Sequence, residues 1–199
     1  MDENTAMEPR MAVVGVGGAG CNVAGRFYDD LLAFDVIAIN TDAEALSAAS
    51  ADSRVPICGP ASDGGTRGDR ALGMECARAH EGDIAAALRG HDVAFIVAGL
   101  GGGTGAGAAS VIAEICAKLD IMTFTFAINP FSFESRSAIA SEGLEAVRRA
   151  CPDTFVIENE RILAEMPDAS LGQAADAVNA SIEELISGLA AAIPQAAAE

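Results

Sequence analysis

The stretch that decides the fold of this chain is Gly99-Leu100-Gly101-Gly102-Gly103-Thr104-Gly105-Ala106-Gly107. It follows the apolar run of residues 93–98 and precedes a segment of helical composition, residues 108–118. A glycine-rich turn between a strand and a helix exposes backbone N–H groups at the helix N-terminus. It also lets an anion approach closely, because side chains are missing. The stretch therefore predicts a phosphate-binding turn.

A second turn of the same kind lies near the start of the chain, Gly15-Val16-Gly17-Gly18-Ala19-Gly20. It fits the G-x-G-x-x-G pattern of dinucleotide-binding enzymes, with Asp35 or Asp42 as the acid that would bind a ribose. That pattern alone is weak, and a tight glycine turn without a ligand would also explain it. Two such turns in one chain predict a nucleotide that is held by its phosphates from two sides.

Apolar runs and segments of helical composition alternate along the chain. Strands are predicted at residues 11–15, 36–40, 54–57, 93–98, 121–128 and 154–157. Helices are predicted at residues 22–30, 42–48, 71–88, 108–118, 136–149, 160–165 and 169–192, with Pro194 stopping the last one. Strands that are continuously apolar are typical of a parallel sheet covered on both faces. The predicted fold class is therefore α/β, a Rossmann-like parallel sheet with helices on both faces, which binds ligands at the carboxyl ends of its strands.

The composition limits the classes of partner. The 199 residues carry a formal net charge of −17 and are 51% hydrophobic. Such an acidic chain disfavours nucleic acid and anionic membranes as partners. No apolar stretch reaches the roughly 20 residues of a membrane helix. We therefore expect a cytoplasmic protein without a metal site, whose five cysteines remain thiols in a reducing compartment.

Four motifs, in this order along the chain, resemble the FtsZ branch of the tubulin superfamily. The resemblance extends over most of the chain and implies the GTPase-domain fold of that superfamily. It further implies GTP or GDP as the ligand, with Mg²⁺ left open, and a role in cell division or the cytoskeleton. The motifs are Gly15-Val16-Gly17-Gly18-Ala19-Gly20-Cys21-Asn22, Ala38-Ile39-Asn40-Thr41-Asp42-Ala43-Glu44-Ala45-Leu46, Gly101-Gly102-Gly103-Thr104-Gly105-Ala106-Gly107 and Asn129-Pro130-Phe131-Ser132-Phe133-Glu134.

The resemblance also implies roles for individual residues. The first motif would surround the α- and β-phosphates, and the third would hold the β- and γ-phosphates with the Thr104 hydroxyl donating. Glu134 would bind the ribose hydroxyls, and Arg136 would lie beside the base and ribose. Asp176 would accept the N1–H and N2–H₂ of guanine in a charge-assisted pair. The implied nucleotide-binding residues are Gly17, Gly18, Ala19, Gly20, Cys21, Asn22, Asn40, Asp42, Gly101, Gly102, Gly103, Thr104, Gly105, Glu134, Arg136 and Asp176.

Some features depart from the family pattern. Residues 66–68, Thr-Arg-Gly, are followed by Asp69 instead of further glycines, and Asp69 is expected to repel a triphosphate unless Mg²⁺ or Arg70 compensates. The first motif contains Cys21, for which we expect a positioning role and a thiol pKa lowered by the helix N-terminus. The family's catalytic N-x-D-x-x-D segment is not found in the 199 residues, so no catalytic residue is assigned.

These observations lead to an expected domain organisation and function. We expect a disordered leader at residues 1–10, a guanine-nucleotide-binding domain at 11–193 that ends in a long central helix, and a tail at 194–199, with the family's second domain absent. The favoured function is a nucleotide-binding protein with weak or partner-dependent hydrolysis, which dimerises or regulates a full-length relative. Part of the apolar stripe Ile182, Leu185, Ile186, Leu189 and Ile193 would pack on the sheet, and the end nearest Ile193, which lacks an evident cover, would be the association surface. The alternatives are a GTPase completed by a partner subunit and a dinucleotide-binding oxidoreductase.

Overall fold

A computed structural model describes residues 8–28, 34–58, 65–166 and 168–196, with side chains described up to residue 193. Residues 1–7 of the expected leader and 197–199 of the expected tail lie outside the described residues. The last two residues of the predicted helix 22–30 also lie outside them.

Six strands form one parallel sheet. The strand order is β3-β2-β1-β4-β5-β6, and each neighbouring pair runs parallel. All six predicted strands are confirmed, within one or two residues at each end. The chain changes direction across the sheet between β1 and β4, which opens a crevice above the carboxyl ends of these two strands. The strands are β1 (Met11–Val16), β2 (Asp35–Asn40), β3 (Ser53–Pro56), β4 (Val93–Gly99), β5 (Met122–Asn129) and β6 (Thr154–Glu158).

The helices of the described residues follow the predicted order, with four corrections to their bounds. The first helix begins at Gly17 instead of residue 22, and the helix predicted at 108–118 begins at Gly103, because packing overrides the low helix propensity of glycine. The predicted helix 71–88 is interrupted at His80, whose φ of −113° and ψ of 24° are not helical. The last helix continues past Pro194, since a proline in a final turn removes only one backbone hydrogen bond. The helices are α1 (Gly17–Ala24), α2 (Ala43–Ala48), α3 (Arg70–Ala79), α4 (Glu81–Leu88), α5 (Gly103–Lys118), α6 (Ser137–Ala150), α7 (Asn159–Glu165) and α8 (Leu171–Ala196).

Each face of the sheet has its own hydrophobic core. On one face, helices α3 to α6 pack against strand side chains that include Val14 and Ile96. On the other face, α1 and α8 pack against strand side chains that include Val13 and Phe95. Adjacent residues of one strand point to opposite faces, which is why the strands are apolar throughout. The predicted sheet with helices on both faces is therefore confirmed.

The apolar stripe of α8 belongs largely to the second core. Ile182 and Ile186 are fully buried, and Leu189 and Ile193 pack against the same cluster. Leu185 is 44% exposed. The expectation that the end of this stripe lacks a cover is therefore wrong, because the helix lies on its own sheet. Among the described residues, no helix combines the length and hydropathy needed to cross a bilayer.

Two cysteines differ from the expectation of free thiols. Cys58, which follows β3, forms a disulfide with Cys76 of α3, and the two Cα atoms are 5.3 Å apart. Cys21, Cys116 and Cys151 are free and buried. The pairing could not be foreseen from the sequence, because the two residues are 18 positions apart and no C-x-x-C spacing marks them.

Candidate functional site

A cleft of about 370 Å³ lies at the carboxyl ends of the strands. Strands β1, β2, β4 and β5 each contribute their last residue, and the loops after them complete the walls. This is where an open parallel sheet binds its ligands. The cleft is lined by Val16, Gly17, Gly18, Ala19, Asn40, Thr41, Asp42, Ala45, Gly65, Thr66, Arg67, Gly68, Gly99, Gly101, Gly102, Gly103, Thr104, Gly105, Ile128, Asn129, Pro130, Glu134, Arg136 and Asn159.

The two glycine turns meet in this cleft. Helix α1 begins at Gly17, whose φ of +69° is a left-handed conformation that glycine adopts readily. A Cβ atom on Gly17 would lie 3.2 Å from the backbone nitrogen of Gly105 in the first turn of α5, so the two helix N-termini lie side by side. At Gly18 and Gly102 a Cβ would meet no atom within 4 Å. The partial positive charges of both N-termini therefore face one open space.

Three buried threonine hydroxyls lie together beside the glycine turns. Thr41 Oγ1 is 2.6 Å from Thr104 Oγ1, and Thr66 Oγ1 is 3.4 Å from the same atom. The three residues come from the loop after β2, the turn before α3 and the first turn of α5. A hydroxyl both donates and accepts, so this cluster can turn donors toward an anion. Thr104 was among the predicted residues, whereas Thr41 and Thr66 were not assigned a role.

Residues 65–68 form a third wall of the cleft. Gly65, Arg67 and Gly68 have φ values of +75°, +50° and +89°, so this turn is tightly bent and Arg67 adopts an unfavourable left-handed conformation. Asp69 does not line the cleft. Its Oδ1 accepts a hydrogen bond of 3.0 Å from the Leu72 N–H and caps the N-terminus of α3. The expected repulsion between Asp69 and a triphosphate therefore has no basis in this geometry.

Asn40 and Asp42 line the cleft with groups that already hold the local structure. The Asp42 N–H donates to Asn40 Oδ1 at 3.3 Å, and Asp42 Oδ1 accepts from a backbone N–H in the first turn of α2. Asp35, the other candidate ribose-binding acid, lies at the opposite end of β2. Burial would raise the pKa of Asp35, but hydrogen bonds from Arg10 and His91 hold it below the ordinary value.

Glu134 and Arg136 line the cleft beside the Gly99–Gly107 turn, where a Cβ on Gly101 would lie 3.6 Å from Arg136 Cδ. Arg136 Nη1 is 3.5 Å from Glu134 Oε2, and Glu134 Oε1 accepts a 2.9 Å hydrogen bond from the Phe131 N–H. The same short turn is tied to α7, because the Ser132 N–H donates to the Glu160 carboxylate. That hydrogen bond lowers the pKa of Glu160. Glu134 is therefore held in place by its own loop, with one oxygen on the arginine side.

Asn159 is a cleft residue to which the sequence alone did not point. It is only 8% exposed, and its Oδ1 has no hydrogen-bond partner among the described residues. A buried amide oxygen without a partner is unfavourable, and a ligand in the cleft would satisfy it. The available signal was positional, because Asn40 ends β2, Asn129 ends β5 and Asn159 follows β6 along the same edge of the sheet.

Four of the predicted residues do not line the cleft: Gly20, Cys21, Asn22 and Asp176. Asn22 and Asp176 are exposed on α1 and α8. The Cys21 thiol is buried and donates toward the carbonyl oxygens of Gly15 and Ile39. Burial raises the pKa of Cys21 to about 11, so the expectation of a lowered pKa is wrong.

Comparison with known proteins agrees with this geometry. The family model described as Tubulin/FtsZ family, GTPase domain, matches residues 10–167. The chain is similar to Cell division protein FtsZ 2 of Halobacterium salinarum, with 34% identity over 191 residues that cover 94% of this chain and 49% of that protein. It is also similar to Cell division protein FtsZ 1 of Pyrococcus horikoshii, with 35% identity over 187 residues, 92% of this chain and 50% of that protein. The chain thus spans about half the length of these curated relatives.

Solved structures show the same likeness. An empty FtsZ dimer of M. jannaschii superposes with a TM-score of 0.86 and 34% identity, over 93% of this chain and 55% of that one. CetZ2 from Haloferax volcanii, solved as a GTPγS-bound protofilament, superposes with a TM-score of 0.80 and 28% identity, over 92% of this chain and 58% of that one.

Proposed function

Because this chain belongs to the Tubulin/FtsZ family, we propose that its 199 residues form a guanine-nucleotide-binding unit of a cell-division or cytoskeletal protein. One observation carries the proposal: helices α1 and α5 begin side by side at one cleft, each from a glycine turn. Two such N-termini suit the adjacent phosphates of a nucleotide. A cytoplasmic location is part of the proposal and is supported by the similarity to cell division proteins.

The phosphates would occupy the end of the cleft that the glycine turns line. The open space at Gly18 and Gly102 leaves room for phosphate oxygens against the backbone. Backbone N–H groups at the N-termini of α1 and α5 would donate to them, and Thr104 would add its hydroxyl. Thr41 and Thr66 support that hydroxyl from both sides. Gly20, Cys21 and Asn22 would then contribute through the shape and dipole of α1.

The ribose and base would lie against the part of the cleft that Glu134, Arg136 and Asn159 line. Glu134 has one carboxylate oxygen directed toward Arg136, and this pair would receive the ribose hydroxyls. Asn159 supplies a buried amide whose oxygen needs a donor, and guanine offers two N–H donors on one edge. Asp176, which is exposed on α8, remains a proposed partner of the base, although it does not line the cleft. A carboxylate that accepts from both of these N–H groups favours guanine over adenine.

Hydrolysis and assembly are proposed to depend on other residues or chains. The 199 residues contain no N-x-D-x-x-D segment to position the attacking water, so we expect slow turnover by these residues alone, with faster turnover when a relative supplies the acids. Association with a second copy or a longer relative would use the nucleotide-binding end, since the apolar stripe of α8 is packed on its own sheet. Mg²⁺ would accompany the triphosphate.

Nucleotide titration tests the proposal. We expect GTP and GDP to bind more tightly than ATP or NAD by at least about tenfold, which corresponds to about 1.4 kcal/mol. Isothermal titration calorimetry on the protein stripped of bound nucleotide measures all four affinities. Equal affinity for ATP and GTP would exclude guanine recognition, and tight NAD binding would favour the oxidoreductase alternative.

A further inference from the structure

The disulfide between Cys58 and Cys76 lies outside the nucleotide cleft but close to it along the chain. Cys58 follows edge strand β3, and Cys76 lies in the middle of α3. Their Cα separation of 5.3 Å falls within the range that a disulfide requires without backbone movement. The other three cysteines are buried as free thiols. The chain therefore contains one cysteine pair that is placed to switch between two covalent states.

One of the two sulfur atoms is on the accessible side. Cys58 is half-buried and lines a surface groove of about 650 Å³, whereas Cys76 is only 6% exposed. The groove volume is typical of small-molecule sites, which span roughly 300–1,000 Å³. Arg54, His80 and Asp83 line the groove, so it offers both basic and acidic groups to a zwitterionic thiol that carries carboxylate and ammonium groups. A small thiol can therefore reach Cys58 first, while Cys76 stays shielded.

The disulfide closes a ring of residues 58–76 that includes part of the nucleotide cleft. Within this ring, Thr66, Arg67 and Gly68 line the cleft. Their turn is strained at Arg67, a non-glycine residue with a φ of +50°. The turn contacts the first turn of α5, because Thr66 Oγ1 lies 3.4 Å from Thr104 Oγ1. A covalent tether at both ends of the segment reduces the number of other conformations available to it.

We propose that Cys58 and Cys76 form a reversible thiol–disulfide site for a low-molecular-weight thiol of the glutathione class, and that the oxidised state holds the turn of residues 65–68 ready to bind nucleotide. The second half of this statement rests on the proposed function. In oxidation, the Cys58 thiolate attacks the disulfide RSSR, forms Cys58–S–S–R and releases one RS⁻. The Cys76 thiolate then attacks Cys58 Sγ and releases the second RS⁻. Two protein thiols are thus oxidised, one RSSR is reduced to two RSH, and the protons lost by the cysteines go to the released thiolates.

Reduction follows the reverse course. An incoming RS⁻ attacks Cys58 Sγ, the accessible sulfur, and expels the Cys76 thiolate. A second RS⁻ attacks the mixed disulfide and frees Cys58. Once the tether is open, the turn occupies its cleft-lining conformation for only part of the time, and the apparent nucleotide affinity falls by that fraction. We expect GTP affinity to fall about fivefold, at the low end of typical coupling between two sites.

The test separates the chemistry from its effect on binding. The full chain is equilibrated in mixtures of reduced and oxidised glutathione, free thiols are alkylated, and peptide mass spectrometry quantifies each cysteine. We expect a linked pair, Cys58–Cys76, in oxidising mixtures, with Cys21, Cys116 and Cys151 staying thiols. GTP affinity is measured by calorimetry on both forms. Cys58→Ser should bind like the reduced wild type in every mixture, and the matched control Cys151→Ser should behave as wild type.

Each outcome decides a separate statement. If the pair never links at any glutathione ratio, the thiol–disulfide site is refuted. If it links and GTP affinity is the same in both forms of the wild type, the coupling to the cleft is refuted, whatever the fate of the Cys58→Ser variant. If neither form binds GTP, the proposed function and the coupling fail together, while the mass spectra still decide the thiol–disulfide site.

Discussion

Replacing Asn159 by alanine should leave stability nearly unchanged while it weakens guanine binding. The truncation removes a buried amide whose oxygen has no partner in the ligand-free protein. An unsatisfied buried polar group costs about 1–3 kcal/mol, and the lost packing of a small polar side chain offsets a similar amount. The free energy of unfolding should therefore change by less than about 1 kcal/mol, a shift of roughly 2–4 °C at most in a domain of this size.

The same truncation should weaken the binding of guanine nucleotides. A hydrogen bond between the neutral amide and the base contributes about 0.5–1.5 kcal/mol, which predicts a loss of roughly twofold to tenfold in GTP affinity. ATP affinity should fall by less, because adenine offers the amide oxygen only its N6 amino group and lacks guanine's adjacent N1–H and N2–H₂ donors. Scanning calorimetry without nucleotide and titration calorimetry with GTP and ATP measure both effects.

Asp176→Ala is the informative comparison, because Asp176 is the base-recognising residue that the family resemblance implies. If Asp176 binds guanine from α8, its loss should reduce the difference in binding free energy between GTP and ATP by about 1.5–3 kcal/mol, the range for a hydrogen bond to a charged group. The reasoning about Asn159 fails if Asn159→Ala lowers the melting temperature by many degrees while GTP affinity stays unchanged. That pair of results would make the amide a structural group whose partner is within the protein.

Four further predictions follow from the same geometry. Phosphate release by these 199 residues alone should stay well below about one per second, and a malachite-green assay reaching that rate would contradict the proposed need for added acids. Gly105→Ala should unfold or strongly destabilise the protein, because its Cβ would collide with a backbone carbonyl, whereas Gly102→Ala should keep the melting temperature and weaken triphosphate binding. The pKa of Cys21 is raised above the ordinary value, so its contribution to stability is complete below pH 9 and is lost as the pH rises toward 11. Urea unfolding from pH 7.5 to 10.5 should show a decline of about 2 kcal/mol that Cys21→Ala reduces. Leu189→Glu should destabilise the fold by about 2 kcal/mol without changing the mass in light scattering; an unchanged melting temperature with a smaller mass would restore the stripe as an association surface.

Much of the fold could be predicted because the signals were local. Each strand is an apolar run bounded by turn residues, such as Val93–Gly99, and both glycine turns follow a strand directly. The helix starts were less accurate, because glycine is a poor helix former. At Gly103 the backbone is held helical by packing against other segments, and Gly17 enters α1 through a left-handed φ; helix propensities describe neither effect.

The cleft was predicted where one motif carried several lining residues. Most of the first and third motifs line it, together with Glu134 and Arg136. Asn159 was missed because its signal depends on the edge that it shares with Asn129, which only the strand order reveals. Asp69 was misjudged for a similar reason: its proximity to the cleft in sequence says nothing about its side chain, which caps α3.

The glycines of the two turns differ in a way that matters when related sequences are compared. Gly105 is surrounded by backbone, and a Cβ on Gly107 would strike the backbone of α3, so both are demanded by packing whether or not a nucleotide binds. At Gly102 and Gly18 a Cβ would meet no protein atom within 4 Å, so packing does not require glycine there. During divergence, a descendant that loses its ligand but keeps its fold should therefore retain the first pair and freely replace the second. Gly105 and Gly107 would therefore mark shared ancestry, and Gly18 and Gly102 would mark a nucleotide site that is still in use.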